Sequence, residues 1–384
     1  MIEASMRPDR VVLSRPAIAA IGATYLLMGL VVSSYGPLLE HLTHRFGVSL
    51  PIAGATISVH FGASLVGVLI AMRTMEKLPA RLTVMIGTGL VAVGCAVAAA
   101  VPSWLVFMAG IAIIGLGFGA LVLALNQAVA YSEGPRRGAL LNGLNSAYSA
   151  GEVVSPVLVA MFATQHFSFL FLGAAAVAVA IVPVTSGITG RLPVAVGVAS
   201  RPGSLVLIFV LAIVFYVGLE NGVGGWMTSH LESVGLVSTQ AASATSGFWL
   251  ALFTGRVLMS VVPAKISEPA IVLTGSVVAT VALACASIGA IAPVAYVTAG
   301  LFLAPIFPTT IVWLARLHPG DSRATSWLYP AASIGGTLGP GAIGVVVAGF
   351  GVRWVPLVLA LVGVGMTLAY SLANGSSRPA TKTS

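Results

Sequence analysis

GLGFGALVLALNQAVAYSEGPRR, residues 115–137, leads on to SAGEVVSP at residues 149–156. In the second half of the chain GLFLAPIFPTTIVWLARLHPGDSR, residues 300–323, leads on to SIGGTLGP at residues 333–340. Gly115 pairs with Gly300, Arg137 with Arg323 and Pro156 with Pro340, at offsets of 185, 186 and 184 residues. Each copy is an apolar stretch, a short basic turn and the start of a second apolar stretch. A repeat of this kind makes the chain two similar halves joined near Thr189–Gly203.

A membrane span needs about 20 mostly apolar residues. In the first half the runs Ala17–Leu39, Ile52–Met72, Leu82–Val101, Trp104–Tyr131, Ala139–Phe162 and Phe167–Ile188 qualify. The second half supplies Ser204–Met227, Ala241–Val262, Ala270–Ala290, Pro293–Leu314, Ala324–Phe350 and Trp354–Ala373. The expected fold is therefore an all-α integral membrane protein of twelve transmembrane helices in two six-helix, pseudo-symmetric halves. Its divisions are a tail at 1–16, a half at 17–188, a linker at 189–203, a half at 204–374 and a tail at 375–384.

Composition agrees. Apolar residues make up 58% of the chain and charged residues 7%, with a mean hydropathy of +1.04. A soluble domain carries about a quarter charged residues, and a water-facing surface cannot be built from so few. The 44 glycines suit helices that pack closely in lipid through small residues. The net charge of +8 forms no patch or stripe, which argues against a nucleic-acid partner. Cys95 and Cys285 both lie in apolar runs, so neither a disulfide framework nor a metal cluster is expected. The first apolar run exceeds a signal-peptide core of about 7–15 residues and reads as a retained span.

Lysine and arginine in short loops set orientation. Fifteen of them, from Arg7 through Arg73, Lys77, Arg136, Arg137, Arg191, Arg201, Lys265, Arg316 and Arg323 to Lys382, fall on one side, against Arg45 and Arg353 on the other. Both termini are expected in the cytoplasm, the protein in the cell (inner) membrane, and the lipid bilayer as its solvent.

Over nearly its full length the chain resembles transporters of the major facilitator superfamily, and within them the fucose–glucose:proton symporter group and its bacterial relatives. The resemblance rests on GLGFGALVLALNQ ending at Gln127 and the arginine pair before LNGLNSAYSAGE. It extends to YVGLENGVGGW from Tyr216, FWLALFTGR ending at Arg256 and APIFPTT from Ala304. It implies a secondary transporter of a small organic solute working by alternating access, its substrate site near the membrane midplane between the halves, coupled to protons and leaning to a polar, sugar-like solute. There are departures. Acidic residues that the group's symporters carry in spans one and four are replaced here by Ser34, Tyr35 and Val122, and the loop after span two reads MRTMEKLPAR. An exporter of a drug or metabolite in exchange for protons is the alternative. A receptor or assembly partner is the reading from a different class, and would be expected to carry an appended soluble domain. No P-loop, GxSxG, HExxH or CxxC occurs, so neither an enzyme nor an ATP-driven pump is expected, and no cofactor or metal. The expected partners are a small-molecule substrate and a proton, and the protein is expected to function as a monomer.

Ionisable side chains in lipid cost about 2.5–3.5 kcal/mol on insertion scales, which makes each a functional candidate. Glu152 and Glu220 are the carboxylates deep inside spans, and taking a carboxyl group out of water favours its protonated form. Both are candidates for proton coupling, beside a neutral tie between helices. GEVVSP around Glu152 is similar to the Gly-x-x-x-Gly-Pro motif in span five of drug:proton antiporters, with Ser155 replacing the second glycine; a kink or close-packing role suits Gly151 and Pro156 better. His60 in span two is a third proton-coupling candidate or a packed histidine. Arg256, the basic residue within a span, binds an anionic substrate, pairs with Glu220, gates or snorkels. Tyr35, Asn126, Gln127, Tyr148, Tyr216, Asn221 and Trp249 are the substrate-binding candidates, by hydrogen bonding or by stacking on a sugar or flat ring. Asn142 and Asn145 are read as helix links and Trp226 as an outer-interface anchor.

Overall fold

The computed structural model describes residues 11–75, 77–100, 103–130, 137–190, 203–261, 266–318, 324–325 and 327–377. Of the loop charges on which the expected orientation rests, Arg7, Arg10, Arg136, Arg191, Arg201, Lys265, Arg323, Arg378 and Lys382 lie outside the described residues, as does Glu76. Among the described residues there are twelve α-helices of at least twelve residues. They are α1 (Arg15–Phe46), α2 (Leu50–Thr74), α3 (Ala80–Ala100), α4 (Trp104–Ala130), α5 (Arg137–Ile181) and α6 (Ser204–Ser233). The remainder are α7 (Ser238–Val261), α8 (Glu268–Cys285), α9 (Ala292–Leu303), α10 (Ile306–Leu317), α11 (Leu328–Phe350) and α12 (Val355–Ser377).

Local chemistry places the helix ends. Ser14 caps α1, its hydroxyl accepting from the Ala17 amide at 3.2 Å, with Pro16 in the first turn, where its missing N–H would have had no partner. Gly47 ends α1 at φ 64°, its N–H donating to the Thr43 carbonyl, so that α2 starts within three residues. Gly235, at φ 102°, turns the chain between α6 and α7 in the same way.

Helices and spans do not correspond one to one. The predicted fifth and sixth spans share the 45-residue run of α5. A straight helix of that length would measure about 68 Å, against a hydrocarbon core of about 30 Å. Leu144 near its start lies beside Gly22 of α1, and Gly187 just past its end lies beside Ser14 and Ala17. Both ends thus sit at the same end of α1, and α5 folds back as two arms. The predicted tenth span is instead interrupted, because Pro305 cannot donate to the Leu301 carbonyl nor Pro308 to that of Ala304; α9 stops and α10 begins there. Among the described residues, ten helical stretches are long and apolar enough to cross a bilayer, and Ser146–Phe162 in α5 is a shorter apolar one. Side chains such as Leu105, Val345 and Leu361, 70–78% exposed, face outward along these helices, as lipid requires and water would penalise.

The chain divides into two compact units, Met1–Val48 with Val59–Ala195 and Ser49–Ser58 with Val196–Ser384. In the first, α1 packs on α5, and α3 on α4 and α5. A two-residue ladder, Val12 opposite Thr189 and Leu13 opposite Ile188, ties its ends together. In the second, α6 packs on α11 and α12, α7 on α9, and α8 on α9 and α12. The first turns of α2 belong to this second unit: Gly54 faces the Trp226 ring, and the Ser58 hydroxyl donates to the Thr337 carbonyl at 2.8 Å.

Glycine contacts repeat from unit to unit. A Cβ on Gly151 would strike the Leu26 carbonyl and the Leu30 amide; one on Gly335 would strike the Val214 carbonyl and the Gly218 amide. Gly67 meets the Leu116 carbonyl as Gly255 meets that of Leu301. Gly115 lies against the His60 carbonyl as Gly300 lies against that of Phe248. These positions carry no side chain because two backbones touch there, which is how helices associate without a hydrophobic drive. Gly151 therefore has the close-packing role.

Candidate functional site

In the second unit, residues four apart on one face of α6 are Tyr216, Glu220, Gly224 and Thr228. The antiparallel α7 answers them in register. The Thr228 and Thr245 hydroxyls bond at 2.9 Å, Trp249 fills the space that a side chain on Gly224 would take, and Arg256 Nη2 meets Glu220 Oε1 at 2.9 Å. The ion pair retains 28% exposure on the Arg256 side chain and 13% on Glu220. The guanidinium turns inward to a carboxylate rather than out toward head groups, which sets snorkelling aside.

Other elements close around the pair. Tyr216 is fully buried, within electrostatic reach of both charges, and its hydroxyl makes no hydrogen bond of standard geometry. Phe307 of α10 stacks on its ring, with centroids 6.1 Å apart. The Tyr370 hydroxyl of α12 shares a 2.9 Å hydrogen bond with Thr310 of α10, and Trp313 stacks on the Tyr370 ring. Asn221 donates to the Val217 carbonyl of its own helix at 3.0 Å. Trp249 is buried edge-on to Phe248, its Nε1 without a hydrogen-bond partner.

The first unit holds a second polar centre. Tyr35 Oη and His60 Nδ1 lie 3.0 Å apart, both side chains fully buried, while His60 Nε2 has no hydrogen-bond partner. The Phe61 and Phe118 rings stand edge-on to the imidazole at 5.1 and 4.8 Å, and Tyr148 stands edge-on to Phe118. Glu152 is buried on α5, its backbone carbonyl accepting from Ser33 at 2.9 Å, and Ser155 donates to the Leu30 carbonyl. Asn126 donates to Val122 of its own helix, and Gln127 Oε1 is buried without a partner. The side chains of Asn142 and Asn145 lie outside the described residues.

The sequence candidates thus fall into two groups: Tyr216, Glu220, Asn221, Trp249 and Arg256 in one unit, and Tyr35, His60, Asn126, Gln127, Tyr148 and Glu152 in the other. Trp226 is corrected. It is wholly buried, with Nε1 donating to the Pro340 carbonyl at 3.0 Å, because Gly54 and Gly344 make room for its ring. Sequence reading also missed Phe307, Thr310 and Tyr370 around the ion pair. It missed His230 too, 1% exposed and 3.2 Å from the Tyr296 hydroxyl, because α6 runs past the predicted span end. The proline-interrupted APIFPTT stretch was the available signal for Phe307 and Thr310.

The repeated contacts identify which positions correspond. Residue 60 corresponds to 248 and 67 to 255 through α2 and α7, and residue 26 corresponds to 214 through α1 and α6. By the same shifts Glu220 corresponds to Val32, Arg256 to Val68 and His60 to Phe248. The shared scaffold works with apolar residues at all three positions.

Comparison with known proteins completes the picture. Residues 21–291 match the family model described as Major Facilitator Superfamily. A "Glucose/galactose transporter" of Brucella abortus biovar 1 (strain 9-941) is 25% identical over 356 residues, which cover 84% of this chain and 86% of that protein; the protein of the same description in strain 2308 matches equally. Among solved structures, a bacterial homologue of the human lysosomal transporter Spinster, inward-facing and occupied, has a TM-score of 0.77 at 13% identity, covering 96% of this chain and 100% of that one. A D-xylose-proton symporter has a TM-score of 0.76 at 16% identity, covering 96% and 98%. A nucleoside transporter has one of 0.73 at 14% identity, covering 94% and 100%. The family match takes in most of the chain and these structures share its fold: the protein belongs to the Major Facilitator Superfamily and is a multi-pass membrane transporter.

Proposed function

We propose that the chain carries a polar, sugar-like solute by alternating access, driven by a proton exchanged at Glu220. The observation that carries the reading is the ion pair of Glu220 with Arg256, made at positions where the other half has valines. An unneeded buried charge is expensive, so a pair absent from the equivalent scaffold position argues for a role in transport rather than in folding. Protonation of Glu220 dissolves the pair and frees both partners to rearrange, which is what a coupling site must do.

Tyr216, Asn221 and Trp249, with Tyr35, Asn126, Gln127 and Tyr148, are assigned to solute recognition. Buried donors and acceptors near aromatic faces match a sugar's hydroxyls and its apolar ring face. Glu152 and the Tyr35–His60 pair are further proton-carrying groups. Sugar handling is supported by the glucose/galactose transporter relatives, and the loop charges favour both termini in the cytoplasm.

Solute uptake into proteoliposomes under an imposed pH gradient tests the reading. Accumulation should follow the gradient in the native protein and be lost in Glu220→Gln, while counterflow continues. Gradient-driven accumulation by Glu220→Gln at the native level would remove Glu220 from coupling.

A further inference from the structure

We propose that Trp249, seated in the notch at Gly224, is the barrier that keeps the proton of Glu220 from crossing toward the α6–α7 turn, and that this barrier enforces coupling. The inference rests on the reading of Glu220 as the proton-exchanging group and goes beyond the solute contact assigned to Trp249.

Proton relays through a membrane run along chains of ionisable and polar groups, and an apolar constriction interrupts them by excluding water. In the structure solvent reaches α6 at Glu220 and Asn221, which keep partial exposure. It goes no further toward the turn: the ten residues from Gly222 to Leu231 are all buried, about 15 Å of helix. That stretch is nonetheless polar at its far end. Thr228 donates to Thr245 at 2.9 Å, because the one hydroxyl proton of Thr245 goes to the Ala241 carbonyl at 3.0 Å. Ser246, next to Thr245, is buried too. Buried Ser229 and His230 follow, with His230 Nδ1 3.2 Å from the Tyr296 hydroxyl.

Polar groups therefore lie on both sides of Gly224 along α6. The residue itself offers no side chain, and the Trp249 ring fills its place: a Cβ on Gly224 would lie 2.5 Å from Cζ2 of that ring. The ring is thus the apolar layer between Glu220 and Thr228, about 12 Å apart along the helix. Arg256 of α7 and Tyr216 of α6 meet Glu220 on its side away from the notch, and neither bridges it to Thr228. Steric fit, rather than a hydrogen bond, holds the ring. Trp249 Nε1 and the Ser246 hydroxyl, one turn apart on α7, are buried without hydrogen-bond partners. No hydrogen bond of the indole has to break for the ring to leave the notch, and both stranded groups gain water when it does.

The test uses the full-length protein in proteoliposomes loaded with a pH-sensitive dye, given a pH gradient with no solute present and the potential clamped by potassium and valinomycin. Native protein should admit protons at about the rate of protein-free vesicles. Trp249→Ala should raise entry about fivefold or more, and the milder Trp249→Leu about threefold, as the apolar layer thins. Trp249→Ala/Glu220→Gln should return entry to the native rate, because the leak runs through that carboxyl group. Gly224→Leu/Trp249→Ala, which refills the notch from α6, should also lower it again. Native proton entry in a Trp249→Ala protein that keeps the native melting profile would overturn the inference, as would a leak that survives Glu220→Gln. Should Trp249→Ala not fold, native entry in Trp249→Leu overturns it instead. Gradient-driven solute accumulation by Glu220→Gln at the native level would overturn the coupling reading beneath it.

Discussion

Glu220 and Arg256 meet at 2.9 Å because α6 and α7 pack antiparallel in one register, with Thr228 bonded to Thr245 and Gly224 facing Trp249 along the same seam. The pair is thus set by the helix interface rather than by flexible side chains finding each other.

The register makes the two charges energetically dependent. Arg256→Gln or Glu220→Gln alone leaves one buried charge without its partner and should destabilise by about 2–4 kcal/mol, at the lower side of a fully buried pair because some solvent reaches both. The double variant should recover most of that loss. Thermal unfolding in detergent of the native protein, both singles and the double gives the coupling energy; additive losses would show that the two residues do not interact.

Glycines at backbone contacts should tolerate nothing larger. Gly151→Val and Gly335→Val push a side chain into the carbonyls of Leu26 and Val214, and backbone cannot yield as a side chain does. Each should cost about 3 kcal/mol or more. Gly89→Ala and Gly173→Ala, with nothing within 4 Å, should be neutral or stabilising by up to about 1 kcal/mol through helix propensity. Equal effects at the four sites would refute the packing.

Tyr35 and His60 form a closed polar pair in an apolar setting. Tyr35→Phe should cost about 1–2 kcal/mol, and His60→Phe about 1–3 kcal/mol through the stranded phenol. The double Tyr35→Phe/His60→Phe should return close to native stability, since Phe248 already occupies the equivalent place in the other unit. Proton-driven transport that persists in the double variant would exclude His60 as a proton carrier.

Topology can be read chemically. With Cys285 replaced and Cys95 left buried, Val237→Cys in the exposed α6–α7 turn should react with an impermeant maleimide on intact cells. Lys77→Cys, exposed after α2, should react only after permeabilisation. The reverse pattern would invert the orientation.

Much of this molecule is legible along one dimension. Span count and the internal repeat follow from local composition, because lipid demands about 20 apolar residues wherever a helix crosses, and the spread of lysine and arginine supplies an expected orientation. Glu152, Glu220, His60 and Arg256 stand out for the same reason: charge in an apolar run is visible without any partner. Even the interruption of the tenth span could be anticipated from Pro305 and Pro308.

Pairwise geometry is different in kind. Whether Arg256 snorkels or pairs depends on the register of α6 against α7, and register is a property of two surfaces, set by where Gly224 admits Trp249. Trp226 looked like an interface anchor until Gly54 and Gly344, remote in the chain, were seen to make room for its ring. Phe307 and Tyr370 carry no charge to mark them and become part of the site only through packing. Composition told which residues lipid would not tolerate without a reason; the contacts between helices, governed by steric fit at glycines, supplied the reason.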